Sequence, residues 1–204
     1  MLLVISHSAF ANYWTQKANV PTGPRVDAIG FALNGYGYFG TGVYQSFSYN
    51  DFWMYNPQSN TWTAKANIGW YWKQDCVGFS VAGKGYVSTG YNMSNNIPLV
   101  ETWEYSDVSN TWTQKADYPG QSRYKCFSMV IGNKAFVGGG TDGINLHDEM
   151  YEYDPSTNMW TQKANFPGMA RNYIPPFPMG NFGYAGNGSE LSATAYPYYY
   201  KYDP

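Results

Sequence analysis

Four near-identical strings, Trp14-Thr-Gln-Lys-Ala18, Trp62-Thr-Ala-Lys-Ala66, Trp112-Thr-Gln-Lys-Ala116 and Trp160-Thr-Gln-Lys-Ala164, recur at spacings of 48, 50 and 48 residues. A period in this range marks a supersecondary unit copied and stacked along the chain. Other columns keep step with the tryptophan. Two residues before it stands Asn12, Asn60, Asn110 or Asn158, and seven before it Tyr55, Tyr105 or Tyr153. Nine before it comes Trp53, Trp103 or Tyr151, and eleven before it an acid, Asp51, Glu101 or Glu149. Eleven after it comes a cation: Arg25, Lys73, Arg123 or Arg171.

Each unit reads as four short strands. In the third, a strand over residues 125–131 turns at Gly132-Asn133 into a second that ends at Gly138-Gly139-Gly140, since a glycine in the first turn position suits a tight hairpin. A polar loop leads to Glu149-Met-Tyr-Glu-Tyr153, which alternates with period two. Asp154-Pro155 turns the chain into the last strand at Trp160. The other first hairpins are expected at Asn34-Gly35, Gly83-Lys84 and Gly180-Asn181.

Composition agrees with an all-β chain. Aromatic residues make up 20% of the 204 residues, whereas Leu, Ile and Val together number 24, too few for a leucine-built helical bundle. Twenty-two glycines and twelve prolines punctuate the chain. Charged residues are 13% with net charge −2, which leaves no basic stripe for nucleic acid. No apolar run has the length of a membrane span. Residues 1–11 read as a leader or signal-peptide remnant: they are apolar and end Ala9-Phe10-Ala11, a small-x-small cleavage pattern, but lack a basic start. Residues 12–204 form one domain.

Paired glycines after the second strand, Tyr-x-Tyr-Asp-Pro before the last turn and Trp six residues beyond the Asp resemble the kelch motif. The third unit is the best copy. The others blur the glycine pair to Gly40-Thr-Gly42, Ser88-Thr-Gly90 and Gly186-Asn-Gly188. The resemblance, to the galactose-oxidase-like kelch repeats, implies a β-propeller of four four-stranded blades. The last unit stops at Tyr200-Lys-Tyr202-Asp-Pro204 without an outer strand, and the segment around Asn12-Tyr-Trp14-Thr15 has the sequence of that strand. The expected ring is therefore closed by the N-terminal strand completing the last blade, which also covers an open edge. Two chains completing each other satisfy the same complementarity.

Arg25, Lys73, Arg123 and Arg171 fall at the start of each innermost strand. Four cations converging near an axis would suit a carboxylate ligand, and the resemblance implies ligand contacts there. Pairing with Asp51, Glu101 and Glu149 is the alternative use. The loop Ile68-Gly-Trp70-Tyr71-Trp72-Lys73 replaces the Pro-Gly of later units. Trp70, Tyr71 and Trp72, with Tyr91 from a neighbouring loop, have the makings of a binding surface or of a roof over a small ring. Lys17, Lys65, Lys115 and Lys163 on the outer strands read as edge protection.

No cofactor is expected. His7, His147, Cys76 and Cys126 assemble neither a zinc nor a copper set, and no nucleophile stands beside a base. The cysteines occupy one column on adjacent inner strands and are expected as free thiols, too far apart for a disulfide. The sequence thus points to a non-enzymatic recognition module, binding a protein or glycan through its loop-bearing face, secreted or at the cell surface, and monomeric. The alternatives are an enzyme of the sialic-acid mutarotase type, using an axial Arg/acid pocket, and a structural subunit that assembles by sharing blades.

Overall fold

The computed structural model of the chain describes residues 14–69, 72–192 and 194–204, and no helix occurs among them. The first repeat supplies β1 (Ile29–Leu33), β2 (Tyr36–Gly40), the short pair β3 (Val43–Tyr44) and β4 (Phe47–Ser48), then β5 (Phe52–Asn56) and β6 (Thr61–Lys65). The second supplies β7 (Lys73–Gln74), β8 (Val77–Val81), β9 (Lys84–Ser88), β10 (Tyr91–Asn92), β11 (Ile97–Pro98), β12 (Thr102–Ser106) and β13 (Thr111–Gln114). The third is β14 (Phe127–Ile131), β15 (Lys134–Gly138), β16 (Met150–Asp154) and β17 (Met159–Gln162). The fourth is β18 (Pro176–Met179), β19 (Phe182–Gly186) and β20 (Tyr199–Tyr202).

Each repeat folds into one antiparallel meander: β1-β2-β5-β6, β8-β9-β12-β13, β14-β15-β16-β17 and the three-stranded β18-β19-β20. The opening hairpins turn at Asn34-Gly35, Ala82-Gly83, Gly132-Asn133 and Gly180-Asn181. The second lies one residue earlier than expected, because Ala82 and Gly83 both take positive φ and Lys84 pairs with Val81.

The core lies between sheets. Innermost strands pack in sequence, β1 on β8, β8 on β14 and β14 on β18. Phe31 reaches over Gly85, where an added Cβ would meet its ring at 2.4 Å, and Met129 reaches over Gly183 in the same way. Phe79 packs in one cluster with Ala135, which is fully buried.

At the outer end the second and third sheets each grip the one before by a clamp, and the first grips the segment that leads into it. Trp62, Trp112 and Trp160 donate Nε1–H to the carbonyls of Ala18, Ala66 and Ala116 at 2.8, 2.8 and 2.9 Å. The amides of the same three alanines donate to Asn60, Asn110 and Asn158 Oδ1 at 2.9, 3.0 and 2.9 Å. Those asparagines take positive φ, a conformation they tolerate well, and also accept from Tyr55, Tyr105 and Tyr153 hydroxyls. Each tyrosine lies directly across from its tryptophan, with ring centroids about 5 Å apart. One clamp thus accounts for three of the sequence columns. Lys115 and Lys163, each just past the end of an outer strand, pair with Glu104 and Glu152.

The glycine pair has a backbone cause. Both positions are left-handed in every repeat: Thr41-Gly42, Thr89-Gly90, Gly139-Gly140 and Asn187-Gly188. At the second, an added Cβ would fall 2.6 Å from the carbonyls of Val26, Tyr124 or Asn172, or 2.3 Å from Cys76 Sγ. Only glycine fits there, whereas Thr or Asn serves at the first.

The junction between the fourth and first sheets is different. Among the described residues Trp14–Ala18 form no strand, Trp14 is 103% exposed, and β20 is bonded to β19 alone. The expected pairing of this segment with Tyr200–Tyr202 is not made. Residues 12 and 13 of the segment, and the leader 1–11, lie outside the described residues.

Two expectations follow. Trp112→Ala removes a wedge between sheets and should cost ~3–5 kcal/mol in denaturant unfolding, whereas Trp14→Ala should leave the monomer's stability within about 0.5 kcal/mol. Gly140→Ala should cost at least ~3 kcal/mol, because clash adds to strain. Gly132→Ala, in open space at φ 58°, should cost ~1 kcal/mol, and the two melting temperatures measured side by side check this.

Candidate functional site

The cation column is buried. The side chains of Arg25, Lys73 and Arg123 are 1%, 1% and 0% exposed and pair with Asp51, Glu101 and Glu149 at 2.5, 2.6 and 3.1 Å. Trp53 and Trp103 hold the first two acids through Nε1–H at 2.7 and 2.9 Å, which gives that column its role. Burial alone would raise the Asp51 and Glu101 carboxyls. Arg25, Trp53 and Thr22 outweigh it for Asp51, as Lys73 and Trp103 do for Glu101, and both sit below the usual range.

Arg171 is built differently. The corresponding position of its repeat carries no acid, and its guanidinium donates to the carbonyls of Met169 and Asn187, each at 3.0 Å. It lies over the rings of Tyr196 and Phe166 at 4.5 and 5.3 Å. Tyr196 in turn donates to Glu190.

Two residues beyond the cations, the chain reaches the mouth of the axis. Asp27, Asp75, Lys125 and Tyr173 all take positive φ, between 52° and 58°, a strained state for non-glycine residues that often marks a working site. Their backbones are laced across the sheets: Asp75 N–H donates to Asp27 O, Lys125 N–H to Asp75 O and Tyr173 N–H to Lys125 O, at 3.1, 3.0 and 3.3 Å. The four side chains, with Ala28, Cys76 and Cys126, line a cavity of about 140 Å³. Lys125 Nζ lies over the rings of Tyr124 and Tyr173. Gln74 donates to Asp75 at 3.2 Å, while its own buried Oε1 has no partner. Burial, reinforced by Asp27, pushes the Asp75 carboxyl up to about 6 against the pull of Lys125. Burial also pushes the free thiols of Cys76 and Cys126 up to about 12 and 11.

Around this mouth stand the loops that join second and third strands. They present Tyr44, Phe47 and Ile97, and the neighbouring connection presents Trp72 at 54% exposure. Tyr91 is half-buried and stands against Tyr124, ring centroids 5.0 Å apart. Trp70 and Tyr71 lie outside the described residues. His147 is buried between Asp142 and Glu149, at 3.3 and 3.6 Å.

The cations stand out in the sequence, whereas the axial column two residues on does not. Asp27, Asp75, Lys125 and Tyr173 have no one residue type in common, and the columns on either side of them vary as well, so no repeated signal marks them. Their left-handed backbone could not be read from residue types that are uncommon there.

Residues 122–167 match the Kelch motif family. No curated protein matches the chain in sequence. In fold it is similar to the solved structure of YjhT, with TM-score 0.72 and 17% identity, over 82% of this chain and 58% of that one. The chain thus spans little more than half the length of that structure, and the likeness is one of architecture.

Asp75 gives the mouth a pH signature. Its folded pKa lies above its unfolded value, so its proton stabilises the fold progressively less as pH rises from about 4 to about 6. Asp75→Asn should match the native chain near pH 4 and exceed it at pH 7 by up to ~3 kcal/mol, less where solvent screens the site. Urea unfolding at both pH values measures the difference.

Proposed function

Taking a kelch-type β-propeller as the scaffold, we propose that the four sheets act as blades of a non-enzymatic recognition module that binds a protein or a glycan through its loop-bearing face. The observation that carries this reading is a small polar cavity on the face whose β3–β4 and β10–β11 loops, bonded to the chain beside Asp27 and Asp75, present Tyr44, Phe47 and Ile97, with Trp72 exposed on the neighbouring connection. Exposed Trp and Tyr beside polar groups supply contact area at low entropic cost and stack well on sugar rings. The pairing of Arg25, Lys73 and Arg123 with their own acids supports the same reading, because an enzyme of the mutarotase type would need such cations to converge on an unpaired carboxylate. A secreted or surface location belongs to this proposal and rests on the sparse charge and the export-like first residues.

One observation favours the enzymatic alternative: Asp75, a buried carboxyl of raised pKa at a cavity mouth, beside Lys125. Asp75→Asn separates the two, since it would abolish turnover of a sugar anomer yet change affinity only modestly. Trp72→Ala tests the main reading. Against a ligand found on a glycan or protein array, it should weaken binding at least tenfold, about 1.4 kcal/mol, with the melting temperature unchanged. Undiminished binding by both Trp72→Ala and Tyr91→Ala would overturn it.

A further inference from the structure

Blade four and blade one each carry half of an interface that the molecule makes three times elsewhere and leaves unmade between these two. Along the open outer edge of blade four, where it packs on blade three, Met150, Ala164 and Phe166 from the blade-three side and Tyr200 and Tyr202 of β20 line an apolar groove of about 250 Å³. Its place in the repeat is where Trp112 sits against Phe52 and Tyr105, and Trp160 against Tyr118 and Tyr153. Among the described residues nothing fills it, while Trp14 stands fully exposed. The inner strands repeat the pattern. Phe177 and Met179, in the column of Phe31 and Met129 and two residues beyond, are 45% and 59% exposed. Gly37 occupies the position of Gly85 and Gly183 but meets nothing beyond its own blade. The backbone lacing also stops here. Asp27 N–H has no bond to Tyr173 O, nor Gly188 N–H to Arg25 O, although the three other junctions make the first bond or its equivalent and Gly42, Gly90 and Gly140 make the second.

Both halves are therefore exposed, apolar and shaped for each other, which is the condition under which identical chains associate head to tail. The chain's own segment is badly placed to do the filling. Ala18 is already held on blade one by Asn60 and Trp62, and four residues of chain carry Trp14 at most ~14 Å from there. Among the described strands, those of blade four pack on blade three and make no comparable contact with blade one. We propose that the groove is filled by the segment Trp14–Lys17 of a second copy, reciprocally, so that two chains close one ring of eight blades. Trp14 of each copy takes the part of Trp160, its Nε1–H donating to Ala164 O. The segment lies antiparallel to β20, with Thr15 opposite Lys201 as Thr161 lies opposite Glu152. Phe177 of each copy covers the other's Gly37, as Phe31 covers Gly85.

Light scattering on the full chain at tens of micromolar tests this. The expected mass is about 46 kDa, twice the 23.0 kDa of the chain. Trp14→Ala, which removes an exposed side chain, and Gly37→Arg, which blocks the seat of Phe177, should each return it to the monomer with an unchanged circular dichroism spectrum. A monomeric native chain, or a dimer that survives both substitutions, overturns the proposal. Cross-linking keeps it separate from closure within one molecule. Oxidising a mixture of Thr15→Cys and Lys201→Cys chains should give a disulfide-linked dimer. A Thr15→Cys/Lys201→Cys double variant that cross-links only within the 23.0 kDa chain would show self-closure and overturn the two-chain ring.

Discussion

The interaction on which the rest depends is the grip of one sheet on the backbone of the one before it. A single alanine offers its N–H to an asparagine carbonyl oxygen and its C=O to an indole N–H. Both partners come from one Asn-x-Trp string, so register between sheets is set by two hydrogen bonds at fixed spacing and not by apolar packing alone. Apolar surfaces slide; a donor and an acceptor fixed on one residue do not. The aromatic wedge then fills the space that the clamp defines, and its tyrosine neighbour anchors the asparagine from the other side. That is why an interior poor in Leu and Ile can still be specific.

A second constraint acts at the axis. Inner strands converge, so backbones must approach closely, and the chain meets this with left-handed residues on both sides of each strand pair. Where a carbonyl of the adjacent loop lies within 2.6 Å of a would-be Cβ, the position is glycine. Where the side chain instead faces the small cavity at the mouth, Asp27, Asp75, Lys125 and Tyr173 carry the strain. Structural and functional demands are thereby separated by two residues along the chain: cations that brace the inner wall with their acids, then groups that face the mouth. The raised Asp75 carboxyl belongs to the second set, since nothing but Gln74 and the distant field of Lys125 compensates its burial.

Repeat length, strand type, the kelch-like columns and three of the hairpin turns were legible in the chain because each rests on contacts within a few residues or on a rule that recurs in every copy. The shift of the second turn to Ala82-Gly83 was not, since Ala at positive φ is a cost that only the completed β8–β9 ladder repays. The candidate site was half legible. Trp72 emerges exposed, but the cations lie in the connections four or five residues before the inner strands and not at the strand starts, and whether they face a ligand or an acid depends on rotamers that composition does not encode. The axial column escaped notice because its residues are chemically unlike one another, and a column without a consensus has no pattern to detect.

By itself, then, the sequence determined a four-fold repeated, aromatic, all-β chain, because periodicity, turn chemistry and aromatic content are local properties written in every copy. Only the tertiary structure decided which charges neutralise one another, which backbone positions are left-handed and which of four equivalent junctions stays unmade. Those outcomes depend on distances between groups some 26 to 46 residues apart, such as Arg25 to Asp51 and Trp112 to Ala66, and on how the sheets stack from end to end, a global property to which no single repeat has access.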